Sequence, residues 1–326
     1  MNISEEDIIH VKSWMQLGYP NYEVDYLEPD KIPESGIIYC NIEHIGDFFE
    51  KCKKTDNEYV VISGFSDYGF AIQEQHPVWY DMYKWLGHVK SYLSPDLEYQ
   101  DLVVPSRREK EKTDISHTYS VKCDSYTLYT VEDIPKNIKT WFLANPMCMH
   151  EKIVGIPFGI SDNVDKSIFN KIQHNKMSDK KKYCYLNWSD YTSDRADIRK
   201  FFKNKHHNWL TIQEQPKPQI EFYQDISEHA FILCPQGNGV DTYRFLETIY
   251  CGSIPIVQAN VLANYLDGLP MVAVQNMKDL DFSILRRILS EVAQQTTESL
   301  IKTPKHKLSY WKELITEAGN GISTIN

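Results

Sequence analysis

One stretch constrains this chain more than any other: Ser227–Val257, SEHAFILCPQGNGVDTYRFLETIYCGSIPIV. His229–Cys234 is short and apolar, as a buried strand must be. Pro235, Gly237 and Gly239 then break the run into a tight turn. Val240–Cys251 has helical periodicity, with Val240, Tyr243, Ile249 and Tyr250 as the expected buried positions. Gly252 ends that helix, and Ile254–Val257 returns as the next strand. Strand, loop, helix and strand in that order build a parallel α/β sheet. A glycine loop that opens a helix also presents free backbone N–H groups at the positive end of the macrodipole, which favours an anion and phosphate above all.

The polar residues of the helix narrow the ligand. Asp241, Arg244 and Glu247 fall three apart and share one stripe of its first two turns. Arg244 can take a diphosphate oxygen bidentately, and Glu247 can accept the two hydroxyls of a ribose. The loop is not a P-loop, because no Gly-Lys-Ser/Thr follows. It is not a dinucleotide fingerprint either, because Thr242 stands where a third glycine would be. Gln236 and Asn238 lie within the loop and complete its donor-side set.

The run from Phe231 to Val257 resembles the signature region of exostosin-type glycosyltransferases: strand, P-x-G-x-G, D-x-x-R-x-x-E, then C-G-x-I-P-I-V. The matching positions are Pro235, Gly237, Gly239, Asp241, Arg244, Glu247, Gly252 and Pro255. Trp141–Ile160, WFLANPMCMHEKIVGIPFGI, is similar to that family's segment joining its two halves, and it carries Asn145 and Lys152 as acceptor or interdomain residues. The two similar regions lie within Trp141–Val257, a stretch of about a third of the chain. The resemblance implies a GT-B fold, two Rossmann-like doubly wound domains facing a cleft. It implies an inverting transfer of a hexosyl or pentosyl group from a nucleoside-diphosphate sugar, a UDP-sugar foremost, to a glycan hydroxyl. No metal or other cofactor is required on this reading, and other glycosyltransferases are possible partners in polysaccharide assembly.

The rest of the chain fits that reading. At 326 residues it is long for one core, and the pattern of alternating strands and helices occurs twice. Gly36–Asn41, Glu58–Gly64, Asp124–Val131 and Lys152–Ile156 read as strands of a first half (1–160), with helices at Ile45–Lys54 and Val78–Leu93. A linker follows over 161–182. The second half (183–305) has strands at Tyr183–Trp188, Trp209–Ile212, His229–Cys234, Ile254–Val257 and Met271–Val274. Its helices are expected at Asp194–Lys203, Pro218–Asp225, Val240–Cys251 and Leu280–Ala293. A last helix, Lys307–Ala318, belongs to a tail (306–326) that can pack back on the first half.

The net charge of −10 argues against a nucleic-acid groove, and the basic runs at 51–54, 107–112 and 180–182 read as solvated surface. Seven cysteines, at 40, 52, 123, 148, 184, 234 and 251, form no C-x-x-C pair and read as free thiols of a reducing compartment. No run of 18 apolar residues exists to span a membrane. The expectation is a cytoplasmic enzyme of bacterial or viral type, or a Golgi-lumen enzyme trimmed of its anchor.

Breaking a sugar–diphosphate bond develops negative charge on the leaving group, which the protein must stabilise. Besides Arg244, Arg195 and Arg199 follow the strand end at Asn187–Ser189, where ligands gather in open α/β sheets. Asp279-Leu280-Asp281 matches a metal-binding D-x-D in form, but an N-cap for the following helix accounts for it. An inverting transfer needs a general base. Asp67, in the loop after Glu58–Gly64, is the first candidate. Glu43 and His44, after the first strand, come next, and His76 follows. Two other readings share these features: a fucosyltransferase-like enzyme using a GDP-sugar, and a non-catalytic carbohydrate- or nucleotide-binding protein on the same scaffold.

Overall fold

The computed structural model describes residues 3–22, 32–64, 89–91, 98–99, 134–146, 150–190, 192–205, 207–237, 239–259 and 261–322. Two sheets organise them. The first runs β1 (Gly36–Tyr39), β2 (Tyr59–Ser63), β5 (Ile138–Ala144), β6 (Ile153–Ile156), every neighbouring pair parallel. The second has the order β4 (Glu98–Tyr99), β3 (Val89–Ser91), β11 (Val272–Val274), β10 (Ile254–Gln258), β9 (His229–Cys234), β7 (Lys182–Leu186), β8 (Leu210–Ile212). Its strands are parallel from β11 to β8, and β3 and β4 join antiparallel at one edge. The α/β class with parallel sheets is therefore observed.

Strand alternation explains how these sheets are buried on both sides. In β9, Ile232 and Cys234 enter one apolar cluster while Phe231 and Leu233 enter another. In β2, Val60 and Ile62 face one cluster and Tyr59 and Val61 the other. One cluster takes in a face of each sheet, together with the N-terminal residues Ile8, Ile9 and Trp14 and the helix residues Leu246, Ile249 and Trp311. The N-terminal segment is sewn to the stretch after β6: Val11 N–H donates to Ile160 O and Ile160 N–H to Ile9 O, both at 2.9 Å, and Trp14 Nε1 donates to Pro157 O.

The helices are α1 (Ile45–Cys52), α2 (Ser167–Lys171), α3 (Ser193–Lys203), α4 (Gln219–Glu228), α5 (Tyr243–Tyr250), α6 (Val261–Tyr265), α7 (Phe282–Val292), α8 (Thr297–Leu300) and α9 (Leu308–Asn320). Helix α9 packs on β1, β2 and β5, close enough that a Cβ on Gly319 would meet Ile37 at 2.5 Å.

Several expectations change. Part of the expected helix Val78–Leu93 is strand: Val89–Ser91 pairs antiparallel with β11, and its remainder lies outside the described residues, as do Asp124–Val131, Asp67, His76 and Asn238. Ile138–Ala144 is a full central strand; its apolar run has a strand's length, but sequence likeness singled it out only as a joining segment. The basic run at 107–112 lies outside the described residues, and the other two are not simply solvated. Lys51 is buried against Tyr22 and pairs with Asp47 at 3.5 Å. Lys180 donates to Ser227 O at the end of α4, and burial pulls its ammonium down to about 8. Among the described residues Cys40, Cys52, Cys184, Cys234 and Cys251 are buried thiols. No described helix is long and apolar enough to cross a membrane.

Candidate functional site

The carboxyl ends of β9, β7 and β10 converge around the glycine loop Pro235–Gly239. Its two described glycines do not use positive φ; they are needed for close approach. A Cβ on Gly237 would lie 2.9 Å from Arg195 Nη2, and one on Gly239 would lie 2.6 Å from the Asn145 side chain. Arg195, on α3, supports the loop from below by donating Nε to Gln236 O at 2.9 Å and Nη2 to Pro235 O at 3.3 Å. Thr192 caps α3 by accepting from Arg195 N–H. Gln258, at the end of β10, accepts from Gln236 N–H at 3.2 Å and donates to Asp194 at 3.4 Å. The Gln236 side-chain Nε2 is shielded from solvent and has no hydrogen-bond partner among the described residues.

Helix α5 begins at Tyr243, later than the periodicity predicts, with Thr242 as its extended N-cap. Asp241 therefore precedes the helix and is not on its stripe. It joins the two sheets. Its N–H donates to Asn145 Oδ1 at 2.8 Å, one carboxylate oxygen accepts from Phe158 N–H at 2.8 Å, and the other accepts from Thr242 N–H at 2.7 Å. Asn145, fully buried at the end of β5, holds φ at +53°, a left-handed conformation asparagine tolerates better than most residues. Burial pushes the Asp241 carboxyl up to about 7, despite the two N–H groups that favour its ionised form. The Phe158 ring stacks on Tyr243 at 5.2 Å. Tyr243 is 37% exposed, so it is not the core position that the helical period suggests; Val240, Ile249 and Tyr250 are buried.

Arg244 and Glu247 remain on the helix and face α4. Arg244 Nε lies 3.4 Å from Glu247 Oε2, and the guanidinium sits over the Phe222 ring at 4.2 Å. Glu247 is buried, and its other oxygen accepts from the Tyr223 hydroxyl at 2.9 Å. Burial, with the Glu247 charge next, pushes the Tyr223 phenol far up. Arg244 Nε and Nη1 are shielded from solvent with no hydrogen-bond partner among the described residues. A buried charged donor left unmet costs about 1–3 kcal/mol or more. Beside them, Tyr185 donates to Asp225, Asn187 donates to Tyr185 Oη at 3.1 Å, and Lys217 pairs with Asp225.

The remaining candidates fall elsewhere. Arg199 is buried and committed: it donates to Asp190 at 2.9 Å, to Gln213 O at 3.2 Å and to Trp188 O. Lys152 donates to Pro135 O at 2.9 Å and Lys136 O at 3.3 Å, ahead of β5, and burial lowers its pKa. Glu43 and His44 lie on the short turn Ile42–His44 after β1; the Glu43 side chain is outside the described residues. Asp281 caps α7 by accepting from Ser283 and Ile284 N–H. Among the described residues no group of three or more His, Cys, Asp or Glu side chains comes together as a metal site requires. His207 is wedged between the Phe202 and Trp209 rings rather than lying free on the surface, and His206 is outside the described residues. Tyr223, Phe222 and Phe158 carry no sequence signal beyond apolar patterning, because their partners stand 24, 22 and 83 residues away.

No family model matches the chain, and no curated protein matches it. Among solved structures, it is similar to one described as "Trehalose-6-phosphate from E. coli bound with UDP-2-fluoro glucose", with 11% identity over 88% of this chain and 71% of that one, at a TM-score of 0.36. At that score the likeness carries no argument, and function has to be read from the chain's own residues.

Proposed function

We propose that the chain is a GT-B glycosyltransferase of exostosin-like type. It moves a sugar from a nucleoside diphosphate, UDP foremost, to a carbohydrate hydroxyl with inversion. The observation that carries this reading is a pair of shielded donors with no hydrogen-bond partner among the described residues, Arg244 Nη1 on α5 and Gln236 Nε2 in the loop after β9, while Arg244 Nε lies 3.4 Å from Glu247 Oε2. A diphosphate supplies charged acceptor oxygens of the kind this set lacks. In this reading the backbone N–H groups of the glycine loop, with Asn238 between Gly237 and Gly239 as a further proposed donor, meet the same anion, and Arg195 holds the loop through the Pro235 and Gln236 carbonyls.

In the transfer, a general base takes the proton of the acceptor hydroxyl as its oxygen attacks the anomeric carbon. The bond to the diphosphate breaks on the opposite face, and Arg244 stabilises the charge the leaving group gains. Asp67 is the proposed base, with Glu43 and His44 as the other candidates. No metal is called for in this scheme. Closure of the two halves over the donor would exclude water and limit hydrolysis.

Thermal melts against UDP, GDP, CMP, ADP and dTDP test the reading, with the wild type beside Arg244→Ala. A ligand at about a hundred times its Kd adds about 2.7 kcal/mol, or roughly 4 °C for a chain of this length. UDP is expected to give that shift and Arg244→Ala to lose it. Preference for GDP would favour a fucosyltransferase-like enzyme. UDP binding without turnover of any UDP-sugar would favour the binding-scaffold reading. No response to any nucleotide from folded protein would overturn the donor site.

A further inference from the structure

Glu247 is the residue that a donor-site reading would place on the ribose, and its surroundings oppose that. It is 5% exposed. One carboxylate oxygen is occupied by the Tyr223 hydroxyl at 2.9 Å, and the other faces Arg244 Nε at 3.4 Å. Tyr223 itself is buried, packed against Phe169 and Phe222. Phe222, its neighbour on α4, supplies the ring beneath the guanidinium at 4.2 Å. Two adjacent residues of α4 thus fix Arg244 from two sides: Phe222 directly, and Tyr223 through Glu247.

We infer that Tyr223 and Glu247 are positioning residues for Arg244, holding its guanidinium for an anionic ligand, and that Glu247 does not grip the nucleotide's ribose. This rests on the donor-site reading above. The guanidinium is planar with a fixed fork of donors. With Nε turned toward Glu247 and one face on Phe222, the edge left for a phosphate is the Nη edge. Tyr223 holds the carboxylate at its far oxygen, so loss of the hydroxyl frees Glu247 to turn and lets Arg244 drift.

The test is calorimetric titration of UDP, UMP and 2′-deoxy-UDP into wild type, Tyr223→Phe, Glu247→Gln, Arg244→Ala and the Arg244→Ala/Glu247→Gln double variant. A ligand-free melt of each confirms folding. Tyr223→Phe and Glu247→Gln are expected to weaken UDP about tenfold, the value of one well-placed hydrogen bond, and UMP much less. The preference for UDP over its 2′-deoxy form should survive in both. The double variant should be no weaker than Arg244→Ala alone. Loss of the ribose preference in Glu247→Gln, or equal weakening of UMP and UDP, would overturn the assignment while leaving the donor site standing. So would additive losses in the double variant. Wild type that binds none of the three would overturn the donor site and this assignment with it. Should Glu247→Gln fail to fold, Tyr223→Phe decides alone: unchanged UDP affinity overturns the positioning role.

Discussion

The two sheets end differently. At the carboxyl edge of the first, the described polar groups mostly meet one another. Ser63 donates to Cys40 O at 2.5 Å and accepts from Trp141 Nε1 at 3.0 Å, tying β1, β2 and β5 together, and Asn145 accepts from Asp241. At the edge of the second, Arg199 and Arg195 are likewise committed, but Arg244 Nη1 and Gln236 Nε2 are shielded with no hydrogen-bond partner among the described residues. The first edge leaves one neutral acceptor, Asn41 Oδ1, shielded without a hydrogen-bond partner among the described residues; the second leaves a guanidinium donor and an amide donor in that state. A shielded N–H of a charged guanidinium without an acceptor costs more than a neutral amide oxygen without a donor, which is why the proposed site lies at the second edge.

Acid tests the tie between the edges with the largest expected effect. Burial pulls His174, His229 and His306 down to about 4. Each titrates near 6.5 when unfolded, so between those values the unfolded chain binds more protons, and their stabilisation is lost as pH falls from about 6.5 to about 4. Asp241 acts in the opposite sense. Its folded carboxyl keeps a proton up to about 7, so it favours the fold at low pH, and that contribution is lost as pH rises from about 4 to about 7. Three groups outweigh one. Stability should therefore fall by several kcal/mol on acidification, and Asp241→Asn should steepen that fall. Urea melts across the range decide it, and an unchanged slope in Asp241→Asn would show that the joint does not titrate there.

Arg199→Ala should cost roughly 3 kcal/mol, because it strips a buried cation from Trp188 O and Gln213 O and leaves both carbonyls unmet. If its loss is instead confined to nucleotide affinity, with urea midpoints unchanged, Arg199 belongs to the site and the division drawn above is misplaced.

What the sequence made legible follows from the range of the interactions. The strand–loop–helix–strand order, an N-cap within Asp279–Asp281 and the glycine-ended helix at Gly252 are set by neighbours within a few residues, and each is present, although the helix after the loop starts at Tyr243 and not at Val240. The roles of Asp241 and Glu247 are not set that way. Spacing puts both on one stripe, but Asp241 is drawn out of the helix by Asn145 and Phe158, 96 and 83 residues distant, and Glu247 is turned inward by Tyr223. Gly237 and Gly239 were readable as loop glycines, yet their physical cause, contact with Arg195 and Asn145, lies in tertiary packing.

Ser63→Ala should cost about 1–2 kcal/mol, since it removes the acceptor of Trp141 and the donor to Cys40. Nucleotide affinity should not change. A parallel loss of the nucleotide shift would mean that the first edge transmits to the second and is not merely structural.

The smallest effect on folding should come from the residue proposed to hold the diphosphate. Arg244→Met keeps the length of the side chain and its packing over Phe222, and it removes Nη1, which has no hydrogen-bond partner among the described residues. Against this stands the loss of the ion pair, which leaves Glu247 held by Tyr223 alone. The two terms oppose each other, so the ligand-free stability should move by about 1 kcal/mol or less, while the nucleotide-dependent shift disappears. Ordinary structural arginines behave the other way, losing stability first. A large destabilisation with nucleotide binding intact would place Arg244 beside Arg199 as a structural residue, and the contrast between the edges would fall.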